Sequence, residues 1–406
     1  MQFFSHRFAA RTAGVNPSAI REILKIVAQP DIISFAGGMP APELFPAEAL
    51  RAAAHEAFAT PEKTLAALQY GPSEGYLPLR QWLEAQLAAE GIQAPGNNIL
   101  ITTGSQQAID LVSRIYLDPG DEVVVGNPTF LGALQCFNGF QAKIVTAPTD
   151  AHGMKIEALA RILENRKPKF IYAIPNFENP TGNSMSEDRK AELYSLARVH
   201  GVPILEDDPY GDLYFGATRP STLKSLDHDN EGVILLRTFS KVLSPGLRVG
   251  YAVLPQEVQT RVLPAKQSAD LHTTALAQVM IHEYLKTGAL EGHLSNIRQV
   301  YHRRRDLMLA AMAKHFPTGC HWTKPDGGLF IWVTLPQGLS SAALLEEAIA
   351  RKVAFIPGQP FYAHGGGENT FRLNFSNASE ANIEEGIKRL GEVLRQALLG
   401  LGAPVA

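Results

Sequence analysis

Cysteine is scarce in this chain: Cys136 and Cys320 are the only two among 406 residues, and neither sits in a Cys-x-x-Cys pattern. Their number and separation argue against a disulfide scaffold and a structural zinc site, so no metal is expected and a reducing, cytoplasmic setting fits. An excess of one charge is missing as well, with 37 lysines and arginines against 40 acidic residues and a net charge of -3. There is no global basic field to draw in nucleic acid or an anionic membrane. No apolar run approaches transmembrane length, and the start of the chain mixes Phe3, Phe4 and Phe8 with Ser5, His6, Arg7 and Arg11, without the continuous apolar stretch of a signal peptide. Its arginine-bearing, acid-free composition matches a transit peptide and equally a short frayed terminus, and the second is the expectation. Internal repeats and low-complexity tracts are absent. So is any Gly-x-Gly-x-x-Gly that follows a strand and opens a helix, which speaks against a nicotinamide-dependent dehydrogenase. What is present is an ordinary globular composition, 45% hydrophobic and 19% charged, in a chain long enough for two domains.

Short β-branched runs at 98–103, 122–125, 142–146, 169–174, 202–206, 233–237 and 249–254 predict seven strands of one sheet. Most are separated by helical stretches, such as 106–116 and 186–200, the pattern of a mostly parallel α/β sheet with crossover helices. Val233-Ile234-Leu235-Leu236 is apolar without alternation, as a strand covered on both faces should be. Beyond about residue 256 the periodicity becomes helical, with one helix over 294–314. Strands at 328–335, 353–356 and 370–375 and an amphipathic helix over 378–399 then predict a smaller α+β unit. The expected organisation is a segment 1–50 packing with both units, a large domain over 51–305 and a small domain over 306–406.

Ligands of open parallel sheets bind beyond the carboxyl ends of the strands, so the residues directly after each run carry the information. After the first run, Gly104-Ser105-Gln106-Gln107-Ala108 opens a helix and offers N–H groups and a hydroxyl to an anion. Alone, it reads more readily as a plain strand-to-helix turn with Ser105 as N-cap. After 169–174 comes Pro175-Asn176-Phe177-Glu178-Asn179-Pro180-Thr181-Gly182, which would hold the Asn179 amide with little freedom. After 202–206 come Asp207-Asp208-Pro209-Tyr210, a carboxylate and a phenol three residues apart. After 233–237 come Thr238-Phe239-Ser240-Lys241, with Arg248 seven residues beyond the lysine and Pro245-Gly246 turning the chain between them. Together these four ends supply what a pyridoxal phosphate (PLP) Schiff base requires. A lysine meets the aldehyde, an anion keeps the pyridine nitrogen protonated, donors steady the ring oxygen, and cations or N–H groups bind the phosphate.

At these residues the sequence resembles the type I fold PLP-dependent aminotransferases, and within them the branch of 2-aminoadipate and kynurenine aminotransferases. Further motifs carrying the resemblance are Ile33-Ser34-Phe35-Ala36-Gly37-Gly38-Met39-Pro40-Ala41-Pro42 with Phe45-Pro46, Leu68-Gln69-Tyr70-Gly71-Pro72-Ser73-Glu74-Gly75-Tyr76, and Phe371-Arg372-Leu373. The resemblance implies that Lys241 carries the cofactor and shuttles a proton, that Asp207 partners the pyridine nitrogen, and that Asn179 and Tyr210 donate to the ring oxygen. It assigns the phosphate to Ser105, Gln106, Ser240 and Arg248, with Tyr70 reaching in from a second subunit of a homodimer, and places Thr238 among the cofactor-binding residues. Arg372 and Asn179 would meet the substrate α-carboxylate, and Gly38 would let the backbone pass close to the substrate, although a glycine there also serves a turn. Arg21, beside the apolar stripe Ile20, Ile23, Leu24 and Val27, matches a substrate-lining helix and would pair with a distal carboxylate.

Two departures from that branch stand out: Phe130 where relatives have a stacking tyrosine, and Glu178 where glutamine is common. They keep other PLP reactions open, namely a lyase, decarboxylase or racemase. A non-catalytic regulatory domain of aminotransferase type is a further alternative, but no segment is left for a DNA-binding unit. The expected activity is amino transfer from an L-amino acid to a 2-oxo acid such as 2-oxoglutarate.

Overall fold

The computed structural model describes residues 31–400 and, ahead of them, residues 7–9, 11, 12 and 29. Its strands are β1 (Ile33–Ser34), β2 (Ile99–Thr102), β3 (Glu122–Asn127), β4 (Lys143–Asp150), β5 (Gly153–Met154), β6 (Phe170–Ala173), β7 (Ile204–Asp207), β8 (Val233–Thr238) and β9 (Gly250–Val253). There follow β10 (His321–Trp322), β11 (Phe330–Thr334), β12 (Val353–Ala354), β13 (Ile356–Pro357) and β14 (Thr370–Asn374). Strands β2 to β9 form one sheet in the order β2-β9-β8-β7-β6-β3-β4-β5. All seven expected strands belong to it; the eighth, β5, is a two-residue hairpin partner of β4, too short for any periodicity to reveal.

Strands β8, β7, β6, β3 and β4 run parallel, while β9 is antiparallel to both of its neighbours, β2 and β8. Strand alternation feeds two helix layers. Val123, Val125, Phe170 and Tyr172 face the Ser105–Tyr116 and Leu131–Gly139 helices, whereas Val124 and Ile171 face Ile156–Asn165 and Glu187–His200. Val233 to Leu236 are buried on both faces, which removes the polar alternation a one-sided strand would show. Local signals set the helix ends: Ser186 caps its helix by accepting from the Arg189 N–H at 3.2 Å, and Gly201 closes it in the left-handed region.

The second sheet, β10-β11-β14-β13, is antiparallel and backed by the long Ala289–His315 and Glu380–Gly400 helices. The expected strand over 353–356 is split: β12 leaves this sheet and pairs in parallel with β1, while β13 joins β14. The early segment meets the second sheet just beyond β1, where the Phe35 carbonyl accepts from the Asn374 N–H at 2.9 Å, and the Ala41 N–H donates to the Tyr301 hydroxyl at 3.0 Å. Among the described residues no helix is long and apolar enough to cross a membrane.

Candidate active site

The carboxyl ends of β2, β6, β7 and β8 open onto one cavity of about 250 Å3. In one part of it Ser105 starts the Ser105–Tyr116 helix and Gly104, at φ 78°, takes the N-cap position expected of Ser105. That left-handed conformation favours glycine, and a Cβ there would also stand 2.8 Å from Arg248 Nη2. Without it the guanidinium settles over the helix start, donating to Ser240 Oγ at 3.1 Å and to the Thr103 carbonyl at 3.3 Å. The Ser240 N–H donates to Thr238 Oγ1 at 3.1 Å, and Gln106 is held by its amide donating to the Gly132 carbonyl at 3.0 Å. Hydroxyls, unpaired helix N–H groups and a guanidinium meeting in one place suit a phosphate-like anion.

Lys241 and Arg248 both lie on the loop that joins β8 to its antiparallel neighbour β9. The Lys241 amine donates to the Gly38 carbonyl at 2.6 Å. Burial, and then the charges of Arg372 and Arg248, lower its pKa to about 8. Asp207, at the end of β7, accepts from the Tyr172 hydroxyl through Oδ2 at 2.8 Å, whereas its Oδ1 is buried without a partner. Burial lifts this carboxyl to about 7; the Tyr172 hydrogen bond opposes the rise and the Asp208 charge adds to it. A buried acceptor with nothing to accept is costly, and a cationic N–H donor placed in the cavity would remove that cost.

Arg372, in the middle of the second sheet, reaches the same cavity. Its Nη1 donates to Asn179 Oδ1 at 2.6 Å and its Nη2 to the Ala36 carbonyl at 2.9 Å, with the guanidinium 4.1 Å from the Phe330 ring centre. Desolvation disfavours its charge, which an incoming carboxylate would offset. Tyr210 stands edge-on to Phe330 at 5.8 Å, and burial raises its phenol well above the usual range, Arg372 acting in the opposite sense. Gly38 and Phe130 complete the set.

Of the residues singled out in the sequence, Gly38, Ser105, Gln106, Phe130, Asn179, Asp207, Tyr210, Thr238, Ser240, Lys241, Arg248 and Arg372 line this one cavity. Tyr70 does not; it is 79% exposed, its ring edge-on to His272. Arg21 falls outside the described residues. Glu178 turns away, into a small cleft shared with Thr149 and Tyr172, where it accepts from Thr181 Oγ1 at 2.7 Å and burial lifts it to about 7. Ile174, Pro209 and Phe330 also line the cavity and were not singled out, nor was Tyr172. The signal for Tyr172 lay in its residue type, because a phenol inside a fully apolar strand needs a partner for its hydroxyl.

An amine kept partly neutral, a carboxylate awaiting an N–H donor, an anion cradle and a forked cation fit PLP and the carboxylate of an amino acid. Comparison with known proteins agrees. The family model "Aminotransferase class I and II" matches residues 31–390. A 2-aminoadipate transaminase of Thermus thermophilus is 43% identical over 97% of this chain and 98% of its own. The crystal structure of an α-aminoadipate aminotransferase of Thermus thermophilus, complexed with N-(5'-phosphopyridoxyl)-L-leucine, superposes with a TM-score of 0.91 at 42% identity, covering 98% of this chain and 99% of that one. The kynurenine aminotransferase of Pyrococcus horikoshii, in complex with PMP, gives a TM-score of 0.92 at 43% identity over 98% and 99% of the two chains. With family model, relatives and cavity in agreement, this chain belongs to the class I and II aminotransferases and is a PLP-dependent enzyme.

Proposed function

We propose that this aminotransferase takes the amino group from acidic, branched-chain and aromatic L-amino acids, a 2-aminoadipate-type donor being slightly favoured, and delivers it to a 2-oxo acid such as 2-oxoglutarate. The observation that carries this is the meeting of a half-buried amine, Lys241, and a buried two-pronged cation, Arg372, in one cavity with Asp207. The range of donors is supported by relatives named for 2-aminoadipate and kynurenine and by the leucine adduct in one of them. When bound, PLP supplies an aldehyde that links to amines and a protonated ring that draws electrons from the substrate α-carbon.

Ser105, Gln106, Thr238, Ser240 and Arg248 would hold its phosphate, Asp207 Oδ1 would accept from its ring nitrogen, Asn179 and Tyr210 would donate to its ring oxygen, and Phe130 would lie against its face. Arg372 turns its two Nη groups to the substrate α-carboxylate, which fixes the direction of the Cα–H bond. Lys241 Nζ, neutral enough near pH 8, takes the proton from Cα. Arg21 would answer a distal carboxylate. Residues 51–305 then form the cofactor-binding domain and 306–406 the domain presenting Arg372, bridged by 1–50. The two free cysteines suit a cytoplasmic protein.

The test is a panel of L-amino acids with 2-oxoglutarate, scored for glutamate and the matching oxo acid. Glutamate should form from 2-aminoadipate, leucine and aromatic donors alike. Carbon dioxide, elimination products or the D-enantiomer in place of oxo acids would assign a different PLP reaction.

A homodimer would complete the site, with Tyr70 reaching the phosphate of the neighbouring subunit. Leu65, Leu68 and Tyr70 are 62%, 68% and 79% exposed on one segment, an apolar surface that a partner would cover. Tyr70→Phe, which should loosen PLP, and Lys241→Ala, which should lose turnover, should recover activity on mixing, because each hybrid dimer holds one site with both lesions and one with neither. No recovery despite verified subunit exchange would place Tyr70 in its own subunit's site or in none.

A further inference from the structure

Tyr172 on β6 and Asp207 on the adjacent β7 are buried, and the Tyr172 hydroxyl lies 2.8 Å from Asp207 Oδ2. The phenol ring is fixed edge-on to Phe137 at 5.6 Å. A phenol has one hydrogen to give, and this one goes to Oδ2. The other oxygen, Oδ1, is buried and without a partner, in a residue that lines the cavity. The two oxygens therefore have separate tasks, one anchored to the neighbouring strand and one left for the ligand. Other titratable groups facing the pair are few. Asp208 follows Asp207 in the chain and is answered by Arg219 at 2.9 Å and Arg237 at 3.2 Å; Tyr210 stands on the cavity side, and Glu178 shares the small cleft behind Tyr172. A hydrogen bond donated to a carboxylate stabilises its charged form and weakens its hold on a proton.

We propose that Tyr172 is a positioning residue that decides where the proton of the cofactor ring nitrogen resides: by donating to Asp207 Oδ2 it turns Oδ1 toward the cavity and keeps the proton on the ring rather than on the carboxylate. This rests on the assignment of Asp207 to the ring nitrogen made above. Tyr172→Phe keeps the ring and its packing on Phe137 and removes only the donor, so Asp207 binds a proton more tightly and the ring nitrogen loses its share.

The experiment is nitrogen NMR of holoenzyme reconstituted with PLP isotopically labelled at the ring nitrogen, on the wild type, Tyr172→Phe, Phe137→Leu and Asp207→Asn. Tyr172→Phe should move the signal part of the way toward that of unprotonated pyridine and lower kcat about tenfold with the donor KM unchanged, since the lost bond is made to a charged group that does not touch the substrate. Phe137→Leu, which trims the packing and leaves the hydroxyl bond, should keep the wild-type signal. A wild-type signal in Tyr172→Phe beside a displaced one in Asp207→Asn would overturn the role of Tyr172 alone. A wild-type signal in Asp207→Asn would overturn the assignment of Asp207 itself, and with it this one. Insoluble or cofactor-free Tyr172→Phe protein, or the same displacement from Phe137→Leu, would make Tyr172 a packing residue and overturn the proposal.

Discussion

Lys241→Ala should lower turnover by about a thousandfold or more while leaving PLP bound, because removing a positioned proton-transfer group forfeits a factor that binding cannot replace. On the proposed assignment Arg248, Ser105 and Ser240 would still hold the phosphate, so cofactor content should fall far less than activity. Borohydride reduction of the wild type should fix the cofactor on Lys241, read as a mass adduct on its peptide; an adduct on another lysine would sink the assignment. The pH dependence follows from the lowered pKa. At about 8 rather than the ordinary 10.5, roughly a tenth of the amine is neutral at pH 7, against about one part in three thousand without the shift. Cofactor capture by the unloaded protein should therefore fall roughly tenfold per pH unit below about 8 and level off above it. The sign for stability is fixed too. Between about 8 and 10.5 the unfolded chain binds a proton that the fold has released, so the unloaded protein gains stability as pH rises through that window. Replacing Lys241 with alanine should abolish both trends.

Arg372→Ala should cut kcat/KM by about a hundred- to a thousandfold, chiefly through KM. On its proposed role two charge-assisted hydrogen bonds to the α-carboxylate would be lost, each contributing roughly 1.5–3 kcal/mol before partial compensation by water. Donor and acceptor should suffer alike, because an amino acid and a 2-oxo acid present the same carboxylate. Arg372→Lys should restore little, since one ammonium cannot reproduce a planar fork. Full cofactor content with unchanged KM for both substrates would exclude Arg372 as the carboxylate site.

The large sheet was legible because its strands are buried on both faces: Val233 to Leu236 cannot be read as anything amphipathic. The position of ligand chemistry followed from topology, which is why Ser105, Asn179, Asp207 and Lys241, distant in sequence, line one cavity. What escaped was set by three-dimensional neighbours rather than by local pattern. The break between β12 and β13 exists because β1 arrives to pair with Val353 and Ala354, and no local signal at 353–356 reports that. Gly104 takes the cap in place of Ser105 in the left-handed region, and the guanidinium that lies over it comes from Arg248, more than a hundred residues later in the chain. Tyr172 read as one more aromatic of a buried strand, its hydroxyl meaningful only once β7 brings Asp207 alongside. The direction in which Glu178 points was likewise a question for the fold, and it points away from the cavity.

The loop between β8 and β9 bears both Lys241 and Arg248, and the strands it joins are hydrogen-bonded to each other, Thr238 opposite Gly250. Its two attachment points are thus the jaws of a calliper whose spine is the sheet itself. On the proposed roles of Lys241 and Arg248, a ligand would have to present an aldehyde and an anion at the separation those jaws allow, so correct chemistry at each end with a longer spacer between them would not be gripped. Inserting or deleting one residue in the loop would misset both jaws at once, whereas a change of length in the surface loops elsewhere would leave the gauge untouched.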